Sequence, residues 1–165
     1  MSRSYAGSAR QAGRIWQGCR LVRIRPARPE DTAALFDVRT AVRENHQGIE
    51  ELAGLGITPA SIAAMIAASP CAWVAVADGR IVGFTMIDND QGTLFAAFVR
   101  PECEGQGIGR ALIAQAEAAL FRRHATIWLE IGRDSRAATV YRHLGWGDET
   151  DLGGGTIRLT KARPG

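Results

Sequence analysis

Apolar and polar residues alternate from Leu21 to Arg25, a period of two that predicts a short opening strand. Pro29 then stands where a helix would begin. Glu30 and Asp31 follow at the positive end of its dipole, with Leu35, Val38 and Val42 at helical spacing. Asn45–Thr58 is polar and glycine-containing and reads as a connection. A second helix is expected after Pro59, with Ile62, Met65 and Ile66 on one side. The pattern then turns β-like, because Ala72–Ala77 and Arg80–Asp88 flank Asp78-Gly79, a strong hairpin signal. Asn89–Gly92 makes another turn, and Thr93–Val99 is a nearly continuous apolar strand stopped by Pro101.

The second half of the chain alternates helix and strand. Ile108, Leu112, Ala116 and Leu120 recur at steps of four and predict a long helix. Thr126–Ile131 reads as a strand, and Arg136–Leu144 as a helix with Gly145 at its C′ position. Asp148–Thr160 reads as a last hairpin around Gly153-Gly154-Gly155. The order β-α-α-β-β-β-α-β-α-β-β places hairpins first and crossover helices later. It predicts an α/β (mixed α+β) fold: a central mixed, mostly antiparallel twisted sheet with helices on both faces.

Composition adds boundaries to this picture. A chain of 165 residues, 46% hydrophobic and 22% charged, is the size and make-up of one globular domain. No apolar run approaches the roughly 18 residues of a membrane span, so a soluble protein without membrane partners is expected. The net charge of +3 is unevenly spread: residues 1–28 hold seven arginines and no acid, leaving 13 basic against 17 acidic residues. A basic leader, residues 1–20, is therefore expected to lie outside a single domain, 21–165, whose excess of acid falls after residue 28. That domain lacks the basic stripe of a specific nucleic-acid binder. Cys19, Cys71 and Cys103 form an odd set without metal-ligand spacing, and His46, His124 and His143 are scattered. Neither a disulfide framework nor a metal site is indicated, and a cytoplasmic location is expected.

Candidate chemistry begins after the Thr93–Val99 strand. Glycines at 105, 107 and 109 let the backbone turn tightly before the long helix, whose first amides and dipole favour an anion such as a phosphate. Arg110 replaces the last glycine of a dinucleotide fingerprint, and Ile108-Gly109 stands where a P-loop needs Lys-Ser or Lys-Thr. A glycine-rich turn without a ligand is the alternative. A second stretch, Asp134-Ser135-Arg136-Ala137-Ala138-Thr139-Val140-Tyr141 followed by Gly145-Trp146, opens a later helix. Its residues Ala137, Val140, Tyr141 and Leu144 share one face. On spacing alone, Tyr141 reads first as a core residue bonded to a backbone carbonyl.

Val99-x-Pro101, then Gly105-x-Gly107-Ile108-Gly109 with Leu112 three positions on, resembles the acetyl-CoA loop of the GNAT N-acetyltransferase family. The later stretch is similar to that family's Asn-x-Arg-Ala-x-x-Phe-Tyr motif, and together the resemblance spans roughly Leu21–Thr160. It implies the GNAT fold and acetyl-CoA as co-substrate without a metal. The amides of Glu104, Gly105, Gln106, Gly107, Ile108, Gly109 and Arg110 would hold the pyrophosphate, and Phe98 and Val99 would lie along the pantetheine arm. Asp134 stands at the asparagine position that contacts the same arm. Glu104 occupies a place usually filled by Gln or Arg. Tyr141 matches the tyrosine that protonates the departing thiolate.

The implied activity is direct transfer of the acetyl group to a primary amine of a small molecule or peptide. A lysine-like amine is protonated at neutral pH, so a general base or a water relay is needed. Glu44, His46 and Glu130 are the candidate bases, although Glu44 and Glu130 also read as solvated surface acids. An amide of the Thr93–Val99 strand is a candidate donor to the reacting carbonyl. The acceptor would be shaped by Arg39–Ala68, where Glu44, Glu50 and Glu51 would suit a cationic amine. A homodimer is consistent with the resemblance. The alternative function is a catalytically silent acyl-CoA-binding sensor of the same fold.

Overall fold

The computed structural model describes residues 21–43 and 47–165. Its opening strand β1, Arg23–Pro26, starts two residues later than the alternation predicts, because Leu21 sits at a φ of 51° and breaks the extended run. A 3-10 turn, Pro29–Asp31, precedes helix α1, Thr32–Ala41. Asp31 secures this start: one carboxylate oxygen accepts the Arg28 N–H at 2.7 Å, and the pair of oxygens takes the Arg25 guanidinium at 2.8 and 3.1 Å.

The expected Asn45–Thr58 connection contains a helix, α2, Ile49–Gly54. Glu51 accepts the Gly48 N–H at 3.1 Å, and Leu52 is buried. Helix α3, Pro59–Ala68, starts at a reciprocal capping box: Ser61 N–H donates to Thr58 Oγ1 at 3.1 Å, and Thr58 N–H to Ser61 Oγ at 3.0 Å. Ile62 and Ile66 face the core as expected, whereas Met65 is 37% exposed.

Strands β2 (Ala72–Ala77), β3 (Arg80–Asp88) and β4 (Thr93–Val99) form an antiparallel meander. A short 3-10 turn, Pro101–Cys103, then leads into helix α4, Ile108–Phe121, whose Ile108, Leu112, Ala116 and Leu120 are all buried. Strand β5, Thr126–Gly132, runs parallel to β4, and helix α5, Arg136–His143, follows. The final hairpin is longer than expected, with β6 at Gly147–Gly153 and β7 at Thr156–Ala162. All seven strands share one sheet in the order β1-β2-β3-β4-β5-β7-β6, antiparallel except at β4–β5. This is the mixed, mostly antiparallel sheet that the element order predicts.

The strand register separates the two faces. Phe84 and Met86 pair with Phe98 and Ala96 and look toward α1. Gly83 and Val99 look the other way: a Cβ placed at Gly83 would lie 3.1 Å from Leu112 of α4, so the helix packs against bare backbone. Helix α5 shares that second face. Trp146, which follows it, donates its indole N–H to Glu117 of α4 at 2.9 Å, and Lys161 of β7 reaches the other Glu117 oxygen at 2.9 Å. Among the described residues no helix is long and apolar enough to cross a membrane. Cys71 is a buried free thiol, whereas Cys103 is disulfide-bonded, which the odd cysteine set does not indicate.

Candidate active site

The site is built where the sheet comes apart. Strands β4 and β5 share a single register pair, Thr93 with Trp128, reinforced by Trp128 N–H on Gly92 O at 3.1 Å. Beyond it β4 pairs with β3 alone. Arg100 N–H bonds Val82 O at 2.8 Å, and alternation along an antiparallel ladder then assigns the groups. Phe98 and Ala96 turn their amides toward β3, and Ala97 and Val99 turn theirs into the gap. The register slips between Met86 and Ile87, so Phe95 bulges from β4 without a partner and is 45% exposed. A bulge at such a place re-aims side chains beside a site.

The glycine loop closes one end of this gap. Gly105 and Gly107 have φ values of 77° and 83°, and a Cβ on either would meet nothing within 4 Å. These positions need glycine for the backbone turn, and the space beside them is open. Glu104 donates its own amide to Pro101 O at 3.3 Å, and Ala111 begins the helix ladder on Gly107 O at 3.1 Å. Between them, the amides of Gly105 to Arg110 donate to no turn, loop or cap partner among the described residues. Gln106 Oε1 is buried without a partner in the same loop. The Glu104 carboxylate lies 3.5 Å from Arg136 in the first turn of α5, which ties the loop to that helix. Open, unspent amides at a helix N-terminus fit a pyrophosphate.

Helix α5 begins at Ser135, whose Oγ accepts the Ala138 N–H at 3.0 Å and donates to Gly132 O at 2.8 Å. Asp134 is exposed in the preceding turn. Five residues beyond Arg136, about 7.5 Å along the helix axis, Tyr141 is 6% exposed with its ring edge-on to Trp146. Its hydroxyl finds no hydrogen-bond partner among the described residues, so the backbone-carbonyl alternative has no support. Burial, with the Glu117 carboxylate second, drives its pKa well above the usual tyrosine value and keeps it protonated.

On the α1 face a cavity of about 220 Å³ lies between α1, α2 and β4. Phe84, Phe98 and Phe95 form much of its wall, with Arg39 and Gln47 as its polar lining. The Arg39 guanidinium stands 4.4 Å over the Phe98 ring and donates to Gln47 Oε1 at 2.6 Å. Desolvation lowers the Arg39 pKa from its ordinary value. Sequence reasoning did not single out Arg39 or Phe95, because neither belongs to a motif.

The candidate bases separate. Glu44 and His46 lie outside the described residues. Glu130 of β5 is ion-paired with Arg158 of β7, whose guanidinium also stacks 4.0 Å over Trp128. Glu50 is exposed, and Glu51 is occupied at the Gly48 amide. Cys71 is no nucleophile, since burial and the charge of Asp88 push its thiol pKa up.

Known proteins with this architecture carry related names. An acetyltransferase (GNAT) domain model matches residues 40–152, more than half the chain. The [ribosomal protein bS18]-alanine N-acetyltransferase of Escherichia coli K12 is 36% identical over 77 residues, 44% of this chain and 52% of its own length. The chain thus spans about half the length of the curated relatives it matches. Among solved structures, the PaiA N-acetyltransferase of Thermoplasma acidophilum, in complex with coenzyme A, superposes with a TM-score of 0.70 at 19% identity, over 87% of this chain and 99% of its own. The E. coli ribosomal-protein-S18-alanine N-acetyltransferase gives 0.63 at 21% identity, over 88% and 97%. With the glycine loop and the parted strands in place, the chain belongs to the GNAT acetyltransferase family.

Proposed function

We propose that the protein is an N-acetyltransferase that moves the acetyl group of acetyl-CoA directly to a primary amine. The observation that carries this reading is the open cradle of unspent amides from Gly105 to Arg110, set at the end of a strand whose other edge faces a gap. When bound, acetyl-CoA supplies a thioester whose C–S bond breaks as the amide C–N bond forms, so one proton leaves the amine and one reaches the sulfur.

The chain's own groups divide the remaining work. Gly105 through Arg110 offer amides to the pyrophosphate. Phe98 shields the strand on the cavity side, while Val99 and Ala97 present amides to the gap. The Ala97 N–H lies two residues from the Phe95 bulge and is the donor best placed to meet negative charge developing on the reacting oxygen. Tyr141 holds a proton that burial prevents it from losing to water. It can present that proton to a leaving thiol, whose ordinary pKa is about 8.5. The amine proton passes to a general base or a water relay. Glu44 and His46, which lie outside the described residues, stay candidate bases.

The test uses the full chain and its thermal midpoint with and without acetyl-CoA. A ligand at about 100 times its Kd adds roughly 2.7 kcal/mol, a shift of several degrees. Gly107→Glu places an acid in the open space beside the loop at a strain of about 1–2 kcal/mol, and it should fold yet lose the shift. A Gly107→Glu protein that keeps the shift, or a wild type that shows none, would remove the cradle from the account.

A further inference from the structure

Tyr141 is held by its carbonyl and by its ring, while its hydroxyl bonds nothing among the described residues. The carbonyl accepts the N–H groups of Leu144 and Trp146, both at 3.0 Å. The ring meets the Trp146 indole edge-on, with centroids 5.6 Å apart and planes at 75°. That indole is itself anchored, because its N–H donates to Glu117 of α4 at 2.9 Å. The other Glu117 oxygen accepts from the Lys161 ammonium of β7 at 2.9 Å. The same ammonium donates to Leu144 O, at the end of α5, at 2.7 Å. One carboxylate thus joins α4, β7 and the end of α5 to the indole against which the Tyr141 ring leans.

Stability alone gives little reason for this arrangement. The Glu117 and Lys161 side chains are only 16% and 19% exposed, and a pair drawn so far out of water is often matched in stability by packed apolar groups. What the pair adds is direction. Lys161 meets a carbonyl at the negative end of the α5 dipole. Glu117 fixes the rotation of the indole by a hydrogen bond that an apolar side chain cannot make. Gly145 makes the corner between them at a φ of 95°, where a Cβ would stand 3.6 Å from the Lys161 side chain. Misplacing a reacting group by about 1 Å can cost roughly 10²-fold in rate. We propose that Glu117 is a positioning residue for the transfer: through Trp146 and Lys161 it holds the Tyr141 ring in the orientation from which the hydroxyl serves the leaving sulfur. The proposal rests on the acetyltransferase reading for what the hydroxyl does, and on the clamp alone for how the ring is held.

Two double variants of the full-length protein test the clamp without stranding a buried charge. Glu117→Leu with Lys161→Met removes its polar arms, and Glu117→Gln with Lys161→Met returns an acceptor to the indole N–H. Thiol release is followed with acetyl-CoA and the fastest of ethylamine, 1,4-diaminobutane and Ala-Gly-Gly. The leucine pair should lower kcat roughly tenfold or more while acetyl-CoA affinity is retained, and the glutamine pair should recover most of the loss. An unchanged kcat, equal losses in the two pairs, or an affinity that falls in step with kcat overturns the proposal. In a Tyr141→Phe background the leucine pair should cost less than about threefold, since both changes act through one hydroxyl. An undiminished cost there also overturns it.

Ring motion separates the clamp from the chemistry. The chain has two tyrosines, Tyr5 and Tyr141, so NMR of ring-labelled tyrosine follows Tyr141 once Tyr141→Phe has identified its signal. The ring should flip roughly tenfold faster or more in the leucine pair, and the glutamine pair should restore the slow flip. An unchanged flip rate overturns the proposal whatever the kinetics show. If none of the three amines releases thiol, or if Tyr141→Phe leaves kcat unaltered, the role given to the hydroxyl fails by itself. The flip rate alone then upholds or overturns the clamp. Should the leucine pair not fold, Trp146→Phe, which keeps a ring beside Tyr141 without the N–H, takes its place in each comparison.

Discussion

At Tyr141 the ring is buried while the hydroxyl is bonded to nothing among the described residues, and this separates its chemistry from its packing. A hydroxyl without a protein partner adds nothing to stability, so Tyr141→Phe should leave the midpoint unchanged or slightly raised. On the same variant kcat should fall by roughly 10²-fold or more, with acetyl-CoA affinity retained; steady-state kinetics beside a melting curve reads both. Asp31 makes the opposite case. Its hydrogen bond to Arg25 holds the carboxyl below the usual carboxylate range, with the Arg28 amide helping against a desolvation cost. The folded chain therefore binds this proton more weakly than the unfolded chain. The stabilisation is full above the unfolded pKa, near 3.9, and is lost as pH falls through the lower folded value. Asp31→Asn should cost about 1–3 kcal/mol at pH 7 and flatten the acid limb of a stability–pH curve. An unaltered acid limb would show that the pair contributes nothing to the anchoring of α1.

At the scale of elements, the junction of β5 and α5 is held by one side chain. Ser135 both caps Ala138 and grips Gly132 O, so Ser135→Ala should cost about 1 kcal/mol in a denaturant titration. Because α5 carries Tyr141, the same change should lower kcat more than it lowers acetyl-CoA affinity. What the sequence made legible follows from periodicity. The bounds of β2, β3 and β4 were readable because apolar runs ended at Asp78-Gly79 and Asn89–Gly92, where turn residues leave little choice. Helix α2 was not, because six residues contribute a single buried side chain, Leu52, and one residue has no period. The start of α1 was obscured for another reason. Its anchor is Asp31, which bonds backward to Arg28 and across to Arg25, so the residue at the usual capping place carries no signal. In the site, the glycine loop was visible as a motif with a physical reason for each glycine. The cavity was not, since Arg39, Phe84 and Phe98 meet only after the chain has crossed the sheet.

For the molecule as a whole, the single Thr93–Trp128 register pair makes the sheet two blocks, β1–β4 and β5-β7-β6, joined at one corner. Glu117, reaching Trp146 and Lys161, fastens α4 to the second block from behind, while Leu112 of the same helix sits on Gly83 of the first. Protection against hydrogen exchange should therefore be split along one strand. In the free protein the amide hydrogens of Ala97 and Val99 should exchange as surface hydrogens do, while those of Ala96 and Phe98, spent on β3, should persist with the core. Saturation with CoA should slow Ala97 and Val99 selectively, measured residue by residue. Uniform protection along β4 in the free state would show that the gap is closed. If the split is found, the protein leaves one flank of its own backbone unclaimed, and the missing neighbour is a small molecule that arrives and departs with each turnover.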